Sequence, residues 1–200
     1  MKKIYLSLLS MMLVGACTTL PTSTEYVTRA DGYFYDGQPQ KAIDAYNRAL
    51  KKNPHNLQAY ASRGAAHFFA GQLELAQQDF EHVLQENPYH ADTYTAYGSV
   101  LAARGDFQSA LQVLEIAIRL SPDKVENYFS RAGIYFMLEQ YDQAINDYTR
   151  VLQTHPAAEV FNARGAAYLR LNRNDLAEQD FQTAQNERLP ATLSVYSKMK

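Results

Sequence analysis

Pro54, Pro88, Pro122, Pro156 and Pro190 recur at a fixed interval of 34 residues. A period of that length marks one supersecondary unit repeated along the chain. Such a unit cannot bury its apolar face alone, so neighbours must stack to make a continuous core. Proline cannot continue a helix and therefore closes each unit. A hydrophobic content of 46% against 20% charged residues gives the stack enough apolar surface to fold around. The formal charge is −2 and no basic cluster is visible in the sequence, so nothing is expected to hold a nucleic-acid backbone. Cys17 is the single cysteine, which excludes an internal disulfide and any multi-cysteine metal site.

Between the prolines each unit carries two helical apolar patterns separated by a break. The first unit places Tyr26, Ala30 and Tyr33 on one helix and Ala42, Tyr46 and Ala49 on the next. The second repeats this with Tyr60, Gly64, His67, Ala76, Phe80 and Val83, and the third with Tyr94, Gly98, Leu101, Ala110, Leu114 and Ala117. The fourth gives Tyr128, Ala132, Tyr135, Ala144, Tyr148 and Val151, and the fifth Phe161, Gly165, Tyr168, Ala177, Phe181 and Ala184. The small residues let the paired helices approach, and the aromatics fill the space between neighbours. Gly37, Gly71 and Gly105 mark the turns, with Glu139 and Asn172 in the corresponding places of the last two units.

These positions resemble the tetratricopeptide pattern W-x2-L-G-x2-Y…A-x3-F…P over residues 23–190. The resemblance implies an all-α, right-handed α-solenoid of five helix–turn–helix units, at 23–56, 57–90, 91–124, 125–157 and 158–190. Residues 191–200 are read as a short C-terminal capping helix, with Leu193, Tyr196 and Met199 on one face. Where the family usually has leucine, this chain has Arg29, Arg63, Arg131 and Arg164. Asp79, Asp147 and Asp180 follow the last three at sixteen residues, and the third unit lacks both partners, with Tyr97 and Val113 instead. Matched presence and matched absence predict an ion pair between the two helices of a unit. The first unit is ambiguous, with Asp44 one place early.

The N-terminus carries a second signal. Lys2 and Lys3 precede an apolar stretch from Ile4 to Ala16. Thirteen residues reach roughly 20 Å as a helix, short of the roughly 30 Å hydrocarbon core. Residues 1–16 therefore read as a signal peptide. Leu13-Val14-Gly15-Ala16-Cys17 resembles the bacterial lipobox, which implies cleavage before Cys17 and its acylation. By the same resemblance Thr18, where inner-membrane retention would call for aspartate, implies the periplasmic face of the outer membrane, or the outer surface of the cell membrane in a Gram-positive cell. Residues 17–22 form a short tether, because Thr22 and Glu25 have the spacing of a capping box that starts the first helix.

No motif for chemistry stands out. His55, His67, His82, His90 and His155 form no i, i+4 pair, and there is no Gly-rich phosphate loop. Neither enzymatic activity nor a metal or cofactor is expected. The tetratricopeptide resemblance instead directs attention to the inner face of the first helices, where partners bind in that family. There Asp31, Phe34, Tyr35, Phe68, Phe69, Phe129, Phe136, Met137 and Arg170 are the candidate contact residues. Phe34, Phe68 and Phe136 have packing as their competing role, whereas Tyr35, Phe69 and Met137 stand where the family usually has polar residues. The carboxylate-clamp set of chaperone-binding members is absent. The expected partners are proteins of the cell envelope, a peptide or helix in the groove, with the membrane engaged through the lipid. A second copy of the chain is the alternative occupant. Architecture alone resembles the lipoproteins that help pilus secretins assemble, those of tight-adherence pili, and those that bring murein hydrolases to proteases.

Overall fold

The computed structural model describes residues 21–188, all of whose regular structure is helical. Five antiparallel hairpins follow one another: α1 (Ser23–Tyr35) with α2 (Pro39–Lys52), α3 (Leu57–Phe69) with α4 (Leu73–Glu86), and α5 (Ala91–Ala103) with α6 (Phe107–Leu120). Then come α7 (Val125–Met137) with α8 (Tyr141–Thr154), and α9 (Ala158–Arg170) with α10 (Asn174–Arg188). Each helix packs on its hairpin partner, and each second helix packs on the first helix of the next unit. This is an α-solenoid. The expected signal peptide, Cys17, most of the expected tether, Pro190 and the expected capping segment at 191–200 lie outside the described residues. No described helix is long and apolar enough to cross a membrane.

Local chemistry sets each boundary. Thr22 caps α1: its Oγ1 accepts the Glu25 amide at 3.2 Å, and the Thr22 amide donates to Glu25 Oε2 at 2.7 Å. Asn56 and Asp106 cap α3 and α6 by the same use of a side-chain oxygen. All five intra-unit turns need one residue in the left-handed region. Glycine supplies it at Gly37, Gly71 and Gly105, and Glu139 (φ 60°) and Asn172 (φ 57°) supply it in the last two units. The final unit begins one residue early because three residues, not four, join α8 to α9.

The core is built from close approach. A methyl added at Gly64 would lie 2.7 Å from Phe80 Cε1, one at Gly98 2.9 Å from Leu114 Cγ, and one at Gly165 2.9 Å from Phe181 Cε1. Each second helix therefore drives a large side chain onto the backbone of its partner. Ala42, Ala76, Ala110, Ala144 and Ala177 are fully buried on the facing side.

The expected ion pairs form and are bidentate. Arg63 Nε and Nη2 donate to Asp79 at 2.8 and 2.6 Å. Arg131 reaches Asp147 at 2.8 and 2.9 Å, and Arg164 reaches Asp180 at 2.8 Å through both nitrogens. The hydrogen bond to Asp147 holds the Arg131 guanidinium above its usual pKa, and Asp180 does the same for Arg164. Arg63 and Arg164 also donate to Asn47 and Thr149 on the preceding unit, so these arginines lock seams as well as hairpins. In the third unit Tyr97 takes over the seam and donates to Glu81 at 2.8 Å. Burial, followed by that bond, pushes the Tyr97 phenol up to about 12. Arg29 differs: the position sixteen residues later is Ala45, and among the described residues Arg29 forms no ion pair with Asp44.

Candidate functional site

Successive first helices touch across the array, α1 with α3, α3 with α5 and α5 with α7. That proximity puts them on the inside of the curve, where radii are shortest. Positions repeating along these helices therefore line up across units into rows. One row is the last residue of each first helix: Tyr35, Phe69, Ala103, Met137 and Arg170. Tyr35 is 88% exposed, Phe69 70% and Met137 64%. Large apolar side chains this open, set in register on one surface, are unusual for a surface with no partner.

The neighbouring row explains how they are held. Phe34, Phe68 and Phe136 are half-buried and pack against the core clusters of their units. Packing is thus what these three rings do, and Phe34 and Phe68 also support exposed neighbours. Phe69 stands edge-on to Phe34 at 5.3 Å and to Phe68 at 5.8 Å between ring centroids, and Tyr35 stands 6.5 Å from Phe34. The result is a continuous aromatic strip across α1 and α3, rigid at its base and open at its rim.

The strip ends at α5, where Ala102 stands in the row of phenylalanines. Beyond it the surface drops into a hollow of about 370 Å³, lined by Ala102, Phe107, Leu114, Phe129, Gly133 and Met137. Two substitutions in one unit create it. Ala102 replaces the Phe34, Phe68, Phe136 and Leu169 of the other units, and Leu114 replaces the Tyr46, Phe80, Tyr148 and Phe181 of theirs. Phe129 and Met137 stand on one side, and an added methyl at Gly133 would meet nothing within 4 Å. Phe129 is 39% exposed and its ring lies 5.8 Å from Tyr148. Phe107 and Leu114 were not among the expected contact residues, because those were sought on the first helices and Leu114 was read as packing. Comparing side-chain volume unit by unit is the signal that finds them.

Two charged candidates are already engaged. Asp31 accepts the hydroxyl of Tyr46, whose phenol burial and that bond push well above its ordinary range. Arg170 lies 3.8 Å from Glu139 and 5.1 Å over the Tyr141 ring, tying the fifth unit to the fourth. Asp31 is thereby held by the core, whereas the exposed Arg170 pair sits on the rim. Glu126 and Glu159 are exposed at the starts of α7 and α9, and neither forms an ion pair among the described residues. Glu126 precedes Phe129 by three residues and shares its helix face. No metal-binding group of three or more His, Cys, Asp or Glu residues occurs among the described residues. His67 is buried, with Nδ1 2.6 Å from Gln72 Oε1 and Nε2 3.9 Å from Asp79. It serves packing.

Tetratricopeptide-repeat models match residues 23–56, 67–131 and 129–191, together well over half of the chain. The chain belongs to the tetratricopeptide-repeat family, whose arrays act as protein-interaction scaffolds. No curated protein matches the sequence at significance. Among solved structures, TTC0263 of Thermus thermophilus, a thermophilic TPR protein, is 20% identical with a TM-score of 0.73, covering 88% of this chain and 96% of that one. MamA of Desulfovibrio magneticus RS-1 is 20% identical with a TM-score of 0.72, over 82% and 93%. YrrB, described as a TPR protein with an unusual peptide-binding site, is 20% identical with a TM-score of 0.65, over 89% and 92%. These likenesses establish the fold.

Proposed function

We propose that this chain is a lipid-anchored scaffold of the bacterial envelope whose inner face holds a segment of a partner protein. The observation that carries the binding face is the register of Tyr35, Phe69 and Met137, three large apolar side chains left open on one surface. A partner segment lies along the rows, rests an apolar side chain on the aromatic strip and inserts another into the hollow beside Met137. Glu126 and Glu159 favour basic residues in that segment. The unusual peptide-binding site for which YrrB is described supports an occupant of this class.

The lipobox resemblance at Cys17 supports the anchor, and Thr18 supports the outer membrane, periplasmic face. Among envelope roles, help in assembling a machine such as a pilus secretin fits a small tethered scaffold that holds a partner segment. Selection of a random peptide display library on the purified protein tests the binding face. Enriched sequences should combine spaced large apolar residues with Lys or Arg. Phe69→Ala with Met137→Ala should abolish the enrichment while leaving the helical content intact. Enrichment that survives the double variant places the binding surface elsewhere.

A further inference from the structure

The first unit stands apart in charge. Residues 23–56 carry five cations, Arg29, Lys41, Arg48, Lys51 and Lys52, against four carboxylates, whereas residues 57–90 carry Arg63 alone against four. The remaining three units are each net negative as well. All five cations of the first unit are exposed. Two of its carboxylates are engaged, Glu25 in the capping box and Asp31 by Tyr46.

Folding gathers what the sequence scatters. Tyr26, Arg29, Tyr33, Lys41 and Arg48 line one open hollow of about 170 Å³ in the first unit of the array, with Asp44 as its one carboxylate. Arg48, Lys51 and Lys52 follow at i, i+3 and i+4 on α2 and extend the same face. In the second and fifth units the corresponding arginine is covered by the preceding unit and donates to it. Among the described residues nothing covers this face in the first unit. Arg29 also lacks the aspartate that its counterparts hold, because Ala45 occupies that place.

The position of this face matters as much as its charge. Ser23 Oγ donates to the Ala49 carbonyl at 3.0 Å, so the start of α1 lies beside the last turn of α2. Lys51 and Lys52 therefore stand where the chain departs toward Cys17. From Cys17 to Thr22 is five steps, at most roughly 16–18 Å. A lipid at Cys17 would hold this end of the array, and no other, against the headgroups. The lysine and arginine stems and the half-exposed Tyr26 and Tyr33 suit an interface that is polar outside and apolar beneath.

We infer that this end face docks on anionic phospholipid, so that the array stands on the membrane by its first unit with the inner face turned to the aqueous side. The inference rests on the anchored reading only for delivery to the surface, since the electrostatic contact itself belongs to the folded unit. An acidic protein surface is the rival occupant. The test embeds the full chain in nanodiscs of phosphatidylcholine with photoactivatable phosphatidylglycerol and maps the lipid adducts by mass spectrometry. Adducts should concentrate on residues 23–52 and fade in high salt, where the Debye length falls from about 10 Å at 0.1 M to about 3 Å at 1 M. Lys41→Gln with Arg48→Gln should lower docking about 30-fold, which is about 1 kcal/mol per cation. Arg104→Gln with Arg119→Gln makes the same charge change in the third unit and should leave the adduct pattern unchanged. Adducts spread evenly along the array, insensitivity to salt, equal loss in both double variants, or failure to associate with anionic discs would each overturn the inference. The mass of the N-terminal peptide reports acylation separately. An unacylated chain that still gives salt-sensitive adducts on 23–52 upholds the docking face while removing the anchor.

Discussion

Replacing Gly64 by alanine and, separately, Gly133 by alanine should move stability in opposite directions. Both glycines lie inside first helices, where alanine is favoured by about 0.8–1.0 kcal/mol. At Gly133 the new methyl meets nothing within 4 Å, so the variant keeps that gain. At Gly64 the methyl lies 2.7 Å from Phe80 Cε1 and 3.0 Å from Cδ1. Phe80 is 1% exposed and has no room to yield. Overpacking of this kind costs about 1–3 kcal/mol, which outweighs the propensity gain and leaves a net loss of up to about 2 kcal/mol. For an array of this size each kcal/mol is worth about 2–4 °C in Tm. Urea titration of the full chain, followed by far-UV circular dichroism, reads both variants against the wild type, with an unchanged slope required for comparison. Gly64→Ala equal to or above Gly133→Ala would refute the close-approach account of the core. The Gly133 methyl also enters the hollow on the inner face, so this variant should gain stability while losing partner affinity.

Three further outcomes follow from the same geometry. Asp147→Ala strands the half-buried Arg131 and should cost about 3–5 kcal/mol, whereas Arg131→Tyr with Asp147→Val, the pair that the third unit uses as Tyr97 and Val113, should recover most of it in the same titration. The raised pKa of Tyr97 means that its contribution is fully present below pH 10 and is lost as pH rises from 10 to about 12; Tyr97→Phe should flatten part of the alkaline fall in stability. Phe69→Ala with Met137→Ala should lower the unfolding free energy by about 1–3 kcal/mol, the worth of the two edge-on contacts of Phe69, and leave the array folded while removing partner binding.

Periodicity made most of the fold readable before any coordinates. The prolines, the glycines at the turns and the alternation of small and aromatic residues each report one local constraint, and the repeats state it several times over. The Arg–Asp pairs were legible for the same reason, since their joint absence at Tyr97 and Val113 works as an internal control. The rim residues Tyr35, Phe69 and Met137 stood out because the family usually has polar residues at their places, while their exposure follows from the packing of the helices. The floor of the hollow was not readable, because it arises from two missing volumes, at Ala102 and Leu114, on different helices. The engagement of Asp31 and Arg170 was hidden too. Tyr46 lies fifteen residues from Asp31, and Tyr141 and Glu139 belong to a neighbouring unit. Likewise the basic end face draws on residues from both helices of the first hairpin and forms no run in the chain.

The most direct test of the binding claim is in-cell photocrosslinking from position 69, with position 112 on the exposed side of α6 as control, and mass spectrometry of the adducts. The account predicts one dominant envelope protein captured from position 69 and not from 112, lost when Met137→Ala is added. Adducts only to other copies of this chain would make it a self-associating structural protein. No adduct at 69 alongside a strong one at 112 would contradict the account and move the partner to the second helices.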